Sequence, residues 1–135
     1  MTLRGSCIAV RARVRRGGDG QPELLGLQFV LDAGRIVNPA LARAQIEGAA
    51  WMGWSIAAGE VLDFVDGRAR QRSLAKYTIA RGPALPSVQC RFIDAERGEP
   101  RGIGEIALPL VAPAVANAWA GLGGTRLRAL PFSRA

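Results

Sequence analysis

An α+β fold, with a mainly antiparallel sheet of about six strands and two principal helices, is predicted by three features of this 135-residue chain. Short alternating segments flank a cluster of turn residues, as Ser6–Val14 and Leu24–Leu31 do around Arg16-Gly-Gly-Asp-Gly-Gln-Pro22. Two longer apolar segments carry helix-start signals, Asn38-Pro39 in the first and Pro109 in the second. Asp66-Gly67 separates two further short runs as a hairpin turn would. The length suits one domain over 1–135, large enough to bury a core.

Taken in order, Ser6–Val14 puts Ile8, Val10, Ala12 and Val14 on one face and Arg11 and Arg13 on the other. Leu24–Leu31 is the return strand. Asp32 and Gly34 shape a turn, and Asn38 caps a helix whose first residue is Pro39. That helix runs to about Ala58, and Gly59 ends it. Gly48 and Gly53 each lower its propensity by about 1 kcal/mol. Such positions imply that another backbone or a flat ligand comes close. Trp51 and Trp54, three residues apart, read as core. Glu60–Val65 and Arg68–Ser73 form a second hairpin, and Pro83 and Pro86 mark an irregular connector. Ser87–Asp94 alternates as a strand with Val88, Cys90 and Phe92 on one side. A polar loop over Glu96–Arg101 leads to Gly102-Ile-Gly-Glu-Ile. Pro109 and Pro113 fit a turn entering a helix over about Leu110–Gly121, which buries Val111, Val115, Ala118 and Trp119. Gly123-Gly124 supplies its stop.

Composition removes several function classes. The chain has no histidine, and Cys7 and Cys90 form no metal-ligand spacing, which excludes the usual zinc sites and His-based triads. Both cysteines lie in apolar, strand-like runs and are expected as buried thiols, a disulfide between them being left open. The net charge of +7 comes from 17 Arg and one Lys. Clusters such as Arg11–Arg16 invite a nucleic-acid reading. No helix-turn-helix, zinc finger or aromatic platform accompanies them, so a solvated face or an acidic protein surface is favoured. No run is long and apolar enough for a membrane span, and the first residues lack a secretory leader, so a cytoplasmic location is expected.

Two polar residues stand out. Glu105 sits on a Gly-rich bend, after Gly102 and Gly104, with apolar neighbours and no Lys or Arg within three residues. A carboxylate buried there would have its charged form disfavoured and its pKa raised toward that of a general base. From the residues alone, the commoner reading is a loop acid that caps the next helix or faces water. Gln45 lies in Gln45-Ile-Glu-Gly48 on the first long helix. Its carboxamide both donates and accepts, as the edge of a pterin requires, although a surface Gln is the plainer reading.

Three segments in order carry a resemblance: Asp32-x-Gly-x-x-x-Asn-Pro39, Gln45-x-Glu-Gly48, and Gly102-x-Gly-Glu-Ile-Ala-Leu-Pro-Leu-Val-Ala-Pro-Ala-Val-Ala-Asn-Ala118. They resemble the second molybdopterin-binding domain of the xanthine dehydrogenase and aldehyde oxidase family, in particular its isoquinoline 1-oxidoreductase branch. The resemblance implies that Glu105 is the active-site base, that Gln45 contacts the molybdopterin, and that Gly102 and Gly104 shape the cofactor loop. Glu47 is expected to make structural hydrogen bonds, and Tyr77 falls where the family has an aromatic near its substrate funnel. Met52 replaces a second amide of the xanthine dehydrogenases. Arg126–Pro131 matches a closing element, typically a final strand.

The same resemblance implies hydroxylation of an N-heterocycle or aldehyde. The molybdenum cofactor, whose cytosine dinucleotide form is one option, would be shared with the remaining part of the subunit. A 2Fe–2S subunit is the implied electron partner, since this chain has no iron–sulfur or flavin motif of its own. The alternatives are a non-catalytic relic or, further off, a basic nucleic-acid or protein binding module.

Overall fold

A computed structural model describes residues 1–82 and 85–134. The chain order is β1 (Thr2–Leu3), β2 (Ser6–Arg16), β3 (Pro22–Asp32), α1 (Pro39–Ala58), β4 (Phe64–Val65), β5 (Arg68–Ala69), β6 (Ser87–Phe92), α2 (Leu108–Gly121) and a 3-10 turn, Phe132–Arg134. Four strands form one sheet in the order β1-β2-β3-β6, and β4-β5 form a separate ribbon. The α+β class holds. The main sheet, however, has four strands where about six were expected.

The reasons for the shortfall are local. Asp66 and Gly67 both take positive φ, 48° and 72°, as a hairpin turn of the primed type requires. Yet only two residues on each side pair, Phe64 with Ala69 and Val65 with Arg68. Both residues of β4 are exposed, so no buried face extends the ladder. The expected last strand, Arg126–Pro131, is irregular chain. The 3-10 turn that follows it is tied down by Arg134, whose guanidinium donates two bonds of 2.8 and 2.7 Å to Asp63. That bond, then one from Gln71, holds the Asp63 carboxyl well below the usual carboxylate range. Pro83 of the expected connector lies outside the described residues.

The β2–β3 hairpin pairs Ile8 with Leu31, Val10 with Phe29 and Ala12 with Leu27, which gives the sheet one apolar face. A bulge falls between Arg13 and Val14, where Leu25 is the extra residue on β3. β6 joins β3 in parallel, Gly26 beside Ser87 through Leu31 beside Phe92. Both helices pack on the apolar face, α2 over β2 and β3, and α1 against α2 and β6. Leu27, Phe29, Leu31, Ile46, Val111 and Val115 are fully buried between them. Each such side chain contributes about 1.5–3 kcal/mol.

Asn38 accepts from the Ala40 and Leu41 N–H groups and caps α1, and the Gly59 N–H closes its other end on Ser55. The seam between the helices explains one glycine: a Cβ on Gly53 would stand 2.7 Å from the Leu108 carbonyl oxygen. No comparable neighbour exists at Gly48. Trp54 is buried, but Trp51 is 38% exposed, its indole N–H donating to the Pro86 carbonyl. α2 begins at Leu108, so Pro113 lies inside it rather than in the turn before it. Cys7 is exposed, because strand alternation turns it away from its buried neighbours Ser6 and Ile8; Cys90 is half-buried, and both are free thiols.

Candidate functional site

Three chain segments far apart in sequence meet at the Gly102–Glu105 bend. From α1, the Gln45 carboxamide donates to the Gly104 carbonyl at 2.6 Å. From the start of β2, the buried Ser6 hydroxyl donates to the Gly102 carbonyl at 2.8 Å. From the turn after β3, the Ala33 carbonyl accepts from the Arg101 N–H at 2.9 Å. That turn is itself fixed: the Gly34 N–H donates to the Asp32 carboxylate, and Gly34 takes a φ of 64°. The three sequence elements that carry the resemblance thus converge on one loop.

The bend separates two open clefts. One is lined by Val37, Leu41, Gln45, Arg101, Ile103 and Gly104 among others. The second, of about 470 Å³, is lined by Leu3, Arg4, Gly102, Gly104, Glu105 and Ile106. Gly104 belongs to both, and a Cβ there would meet nothing within 4 Å. Gly102 differs, since its Cβ would stand 3.0 Å from that of Arg4. Neither glycine takes a positive φ. Their reason is space, not backbone angle.

Glu105 is exposed, as the commoner reading of a loop acid facing water has it, and not buried among its apolar neighbours in sequence. The apolar Ile106 and Ala107 point into the core instead, 1% and 0% exposed. The helix after the bend is capped by Ala107 without a side-chain hydrogen bond, so Glu105 does not act as its cap. The carboxylate makes no hydrogen bond or ion pair among the described residues. Arg4 lines the same cleft and sits at a φ of 52° in the turn between β1 and β2. Arg4 and Ser6 were not singled out from the sequence. The only local signal for them was Gly5, whose φ of 78° completes that turn.

Other expected site residues fall elsewhere. Glu47 makes no hydrogen bond among the described residues, contrary to the structural role expected of it. Tyr77 donates to Glu60 at 2.8 Å, and that bond, with burial second, pushes its hydroxyl pKa up. It lines neither cleft beside the bend.

The donor set at the bend suits a polar, flat-edged ligand. The N–H groups of Gly102, Ile103, Gly104 and Glu105 make no hydrogen bond among the described residues. Gln45 uses one N–H on Gly104, which fixes the amide and leaves its oxygen as an acceptor. The residues that carry these groups line the two clefts on either side of Gly104, which has no side chain. The arrangement fits the edge of a pterin.

A family model described as a molybdopterin cofactor-binding domain matches residues 16–86. The chain is 37% identical over 105 residues to a protein from Gluconacetobacter polyoxogenes named membrane-bound aldehyde dehydrogenase [pyrroloquinoline-quinone], covering 78% of this chain and 14% of that one. It is 29% identical over 102 residues to isoquinoline 1-oxidoreductase subunit beta of Brevundimonas diminuta, covering 76% and 13%. The fold superposes on quinoline 2-oxidoreductase from Pseudomonas putida 86 with a TM-score of 0.72 at 22% identity, over 84% of this chain and 16% of that one. The chain spans about one-seventh of the length of these relatives.

Proposed function

This chain belongs to the molybdopterin cofactor-binding domain family of the xanthine dehydrogenase and aldehyde oxidase proteins, and from that premise we propose that it contributes the glutamate loop of a molybdenum hydroxylase active site. In this reading Glu105 is the general base, Gln45 both holds the bend and meets the pterin, and Gly102 and Gly104 keep the approach clear. The molybdenum cofactor, when bound, supplies the redox centre for hydroxylating an electron-poor carbon of an N-heterocycle or aldehyde. The Glu105 carboxylate accepts the proton released in that step, and an exposed, unpaired carboxylate at a cleft mouth is free to do so.

The observation that carries the proposal is the 2.6 Å bond from Gln45 to Gly104. It supports the reading because the amide assigned to the cofactor bonds the residue next to the acid assigned to the chemistry. Val37 and Leu41, 78% and 68% exposed on the wall of the adjoining cleft, mark where the remaining part of the subunit would pack. A cofactor shared with that part, and an electron-transfer partner carrying 2Fe–2S centres, complete the reading. Among the described residues no helix is long and apolar enough to cross a membrane.

The test is the assembled enzyme purified from its host, with molybdenum and polypeptide content measured. Glu105→Gln is expected to lower turnover by about 10²–10⁴-fold with molybdenum unchanged. Gln45→Ala is expected to lower molybdenum occupancy. Turnover retained in the first variant removes Glu105 as the base. A chain isolated with neither metal nor partner identifies a non-catalytic relic.

A further inference from the structure

The sheet face turned away from the helices carries a second constellation. Arg11 and Arg13 on β2, Gly26, Leu27 and Gln28 on β3, and Ser87 and Gln89 on β6 line an open cavity of about 150 Å³. The register explains the assembly, since Arg13, Gly26 and Ser87 form one cross-strand row and Arg11, Gln28 and Gln89 the next. This face lies some distance in sequence from Glu105 and shares no lining residue with either cleft at the bend.

Arg11, Arg13, Gln28, Ser87 and Gln89 are all exposed, and four details distinguish this group from the rest of the basic surface. Glycine inside a strand weakens it and marks a close approach; here a Cβ on residue 26 would stand 2.6 Å from the Ser87 hydroxyl. That hydroxyl donates to the carbonyl of Leu25, the bulged residue, at 3.2 Å. The Gln28 amide donates to the Gln89 carbonyl oxygen at 2.9 Å, which leaves the Gln89 amide hydrogens as free donors beside the cavity. Arg11 and Arg13 have no carboxylate partner among the described residues, whereas their neighbour Arg15 is paired with Glu23 at 2.5 Å.

Two guanidinium forks and a primary amide around one small cavity offer more donors than the two oxygens of a carboxylate can accept. They match the three or four oxygens of a phosphate. We propose that this cavity, lined by Arg11, Arg13, Gly26 and Gln89, binds a phosphate group. The group is either the free anion or the phosphate of a nucleotide.

The experiment is a titration of the 135-residue chain followed by backbone amide NMR. Sodium phosphate, a nucleoside monophosphate and sodium acetate are compared at constant ionic strength. Saturable phosphate shifts confined to Gly26, Ser87, Gln89 and their strand neighbours are expected. Arg13→Gln should weaken binding about tenfold and Arg13→Lys less, because the charge remains while the fork is lost. Arg126→Gln, away from this face, should change nothing. Gln89→Ala serves as a second probe should Arg13→Gln lose its native spectrum. Tighter binding of the nucleotide assigns the phosphate to a nucleotide, and equal or weaker binding assigns it to the free anion. Acetate binding as tightly as phosphate, or shifts spread evenly over all arginine segments, overturns the site. Undiminished affinity in folded Arg13→Gln does the same.

Discussion

Gly53 and Gly104 carry the same sequence signal and have opposite surroundings. Each sits in an apolar stretch where a side chain would be expected, and each implies something close by. At Gly53 that something is within the chain: the backbone of α2 crosses α1 there, with Leu108 and Val111 filling the space a Cβ would need. At Gly104 nothing stands within 4 Å, although the residue is hydrogen-bonded through its carbonyl to Gln45. A glycine with a neighbour belongs to the packing of this fold. At Gly104 the space is open, and it lies beside the acid assigned to catalysis.

The contrast can be broken by three alanines. Gly53→Ala should have the largest effect, a loss of about 1–3 kcal/mol read from urea unfolding, because the Leu108 carbonyl cannot retreat without shifting α2. An unchanged midpoint would mean that the two helices separate more easily than their contact suggests. Gly48→Ala, on the same helix but with no neighbour, should raise stability by about 1 kcal/mol through propensity alone. Gly104→Ala should fall within about 0.5 kcal/mol of the parent chain. In the assembled enzyme, by contrast, it should lower molybdenum occupancy, since the added methyl enters the space assigned to the pterin. Full occupancy would show that the bend is open for some other reason.

How far the sequence could be read follows from what each signal encodes. Turn chemistry and alternation are local, so the β2–β3 hairpin, the Asn38 cap and the end of α1 at Gly59 were all legible. Alternation tells a strand which face is buried but not which strand lies beside it. The parallel pairing of β6 with β3, 61 residues apart at Gly26 and Ser87, therefore carried no signal, and the sheet was expected to be larger. The bend was legible as a motif, but its geometry was not. The residues around Glu105 left a buried acid and a water-facing one both open, the second being commoner; Ile106 and Ala107 take the buried places and leave the acid outside. Arg4 and Ser6 reach the same bend from the far end of the chain, where no spacing could have announced them.

The parallel β3–β6 pair also orders events during folding. The β2–β3 hairpin closes over a tight turn, a contact formed within microseconds in comparable peptides. β6 can dock only after the whole of residues 33–86 has been drawn in, α1 included. Lengthening a loop adds little to its equilibrium free energy, about 0.6 kcal/mol per doubling. Distant pairings nevertheless slow the search for the native state. Until β6 arrives, β3 exposes an unpaired edge next to Val30 and Phe29, and an edge of that kind templates association with other chains. Yield on refolding should therefore fall with protein concentration well before the final stability of the chain is in question.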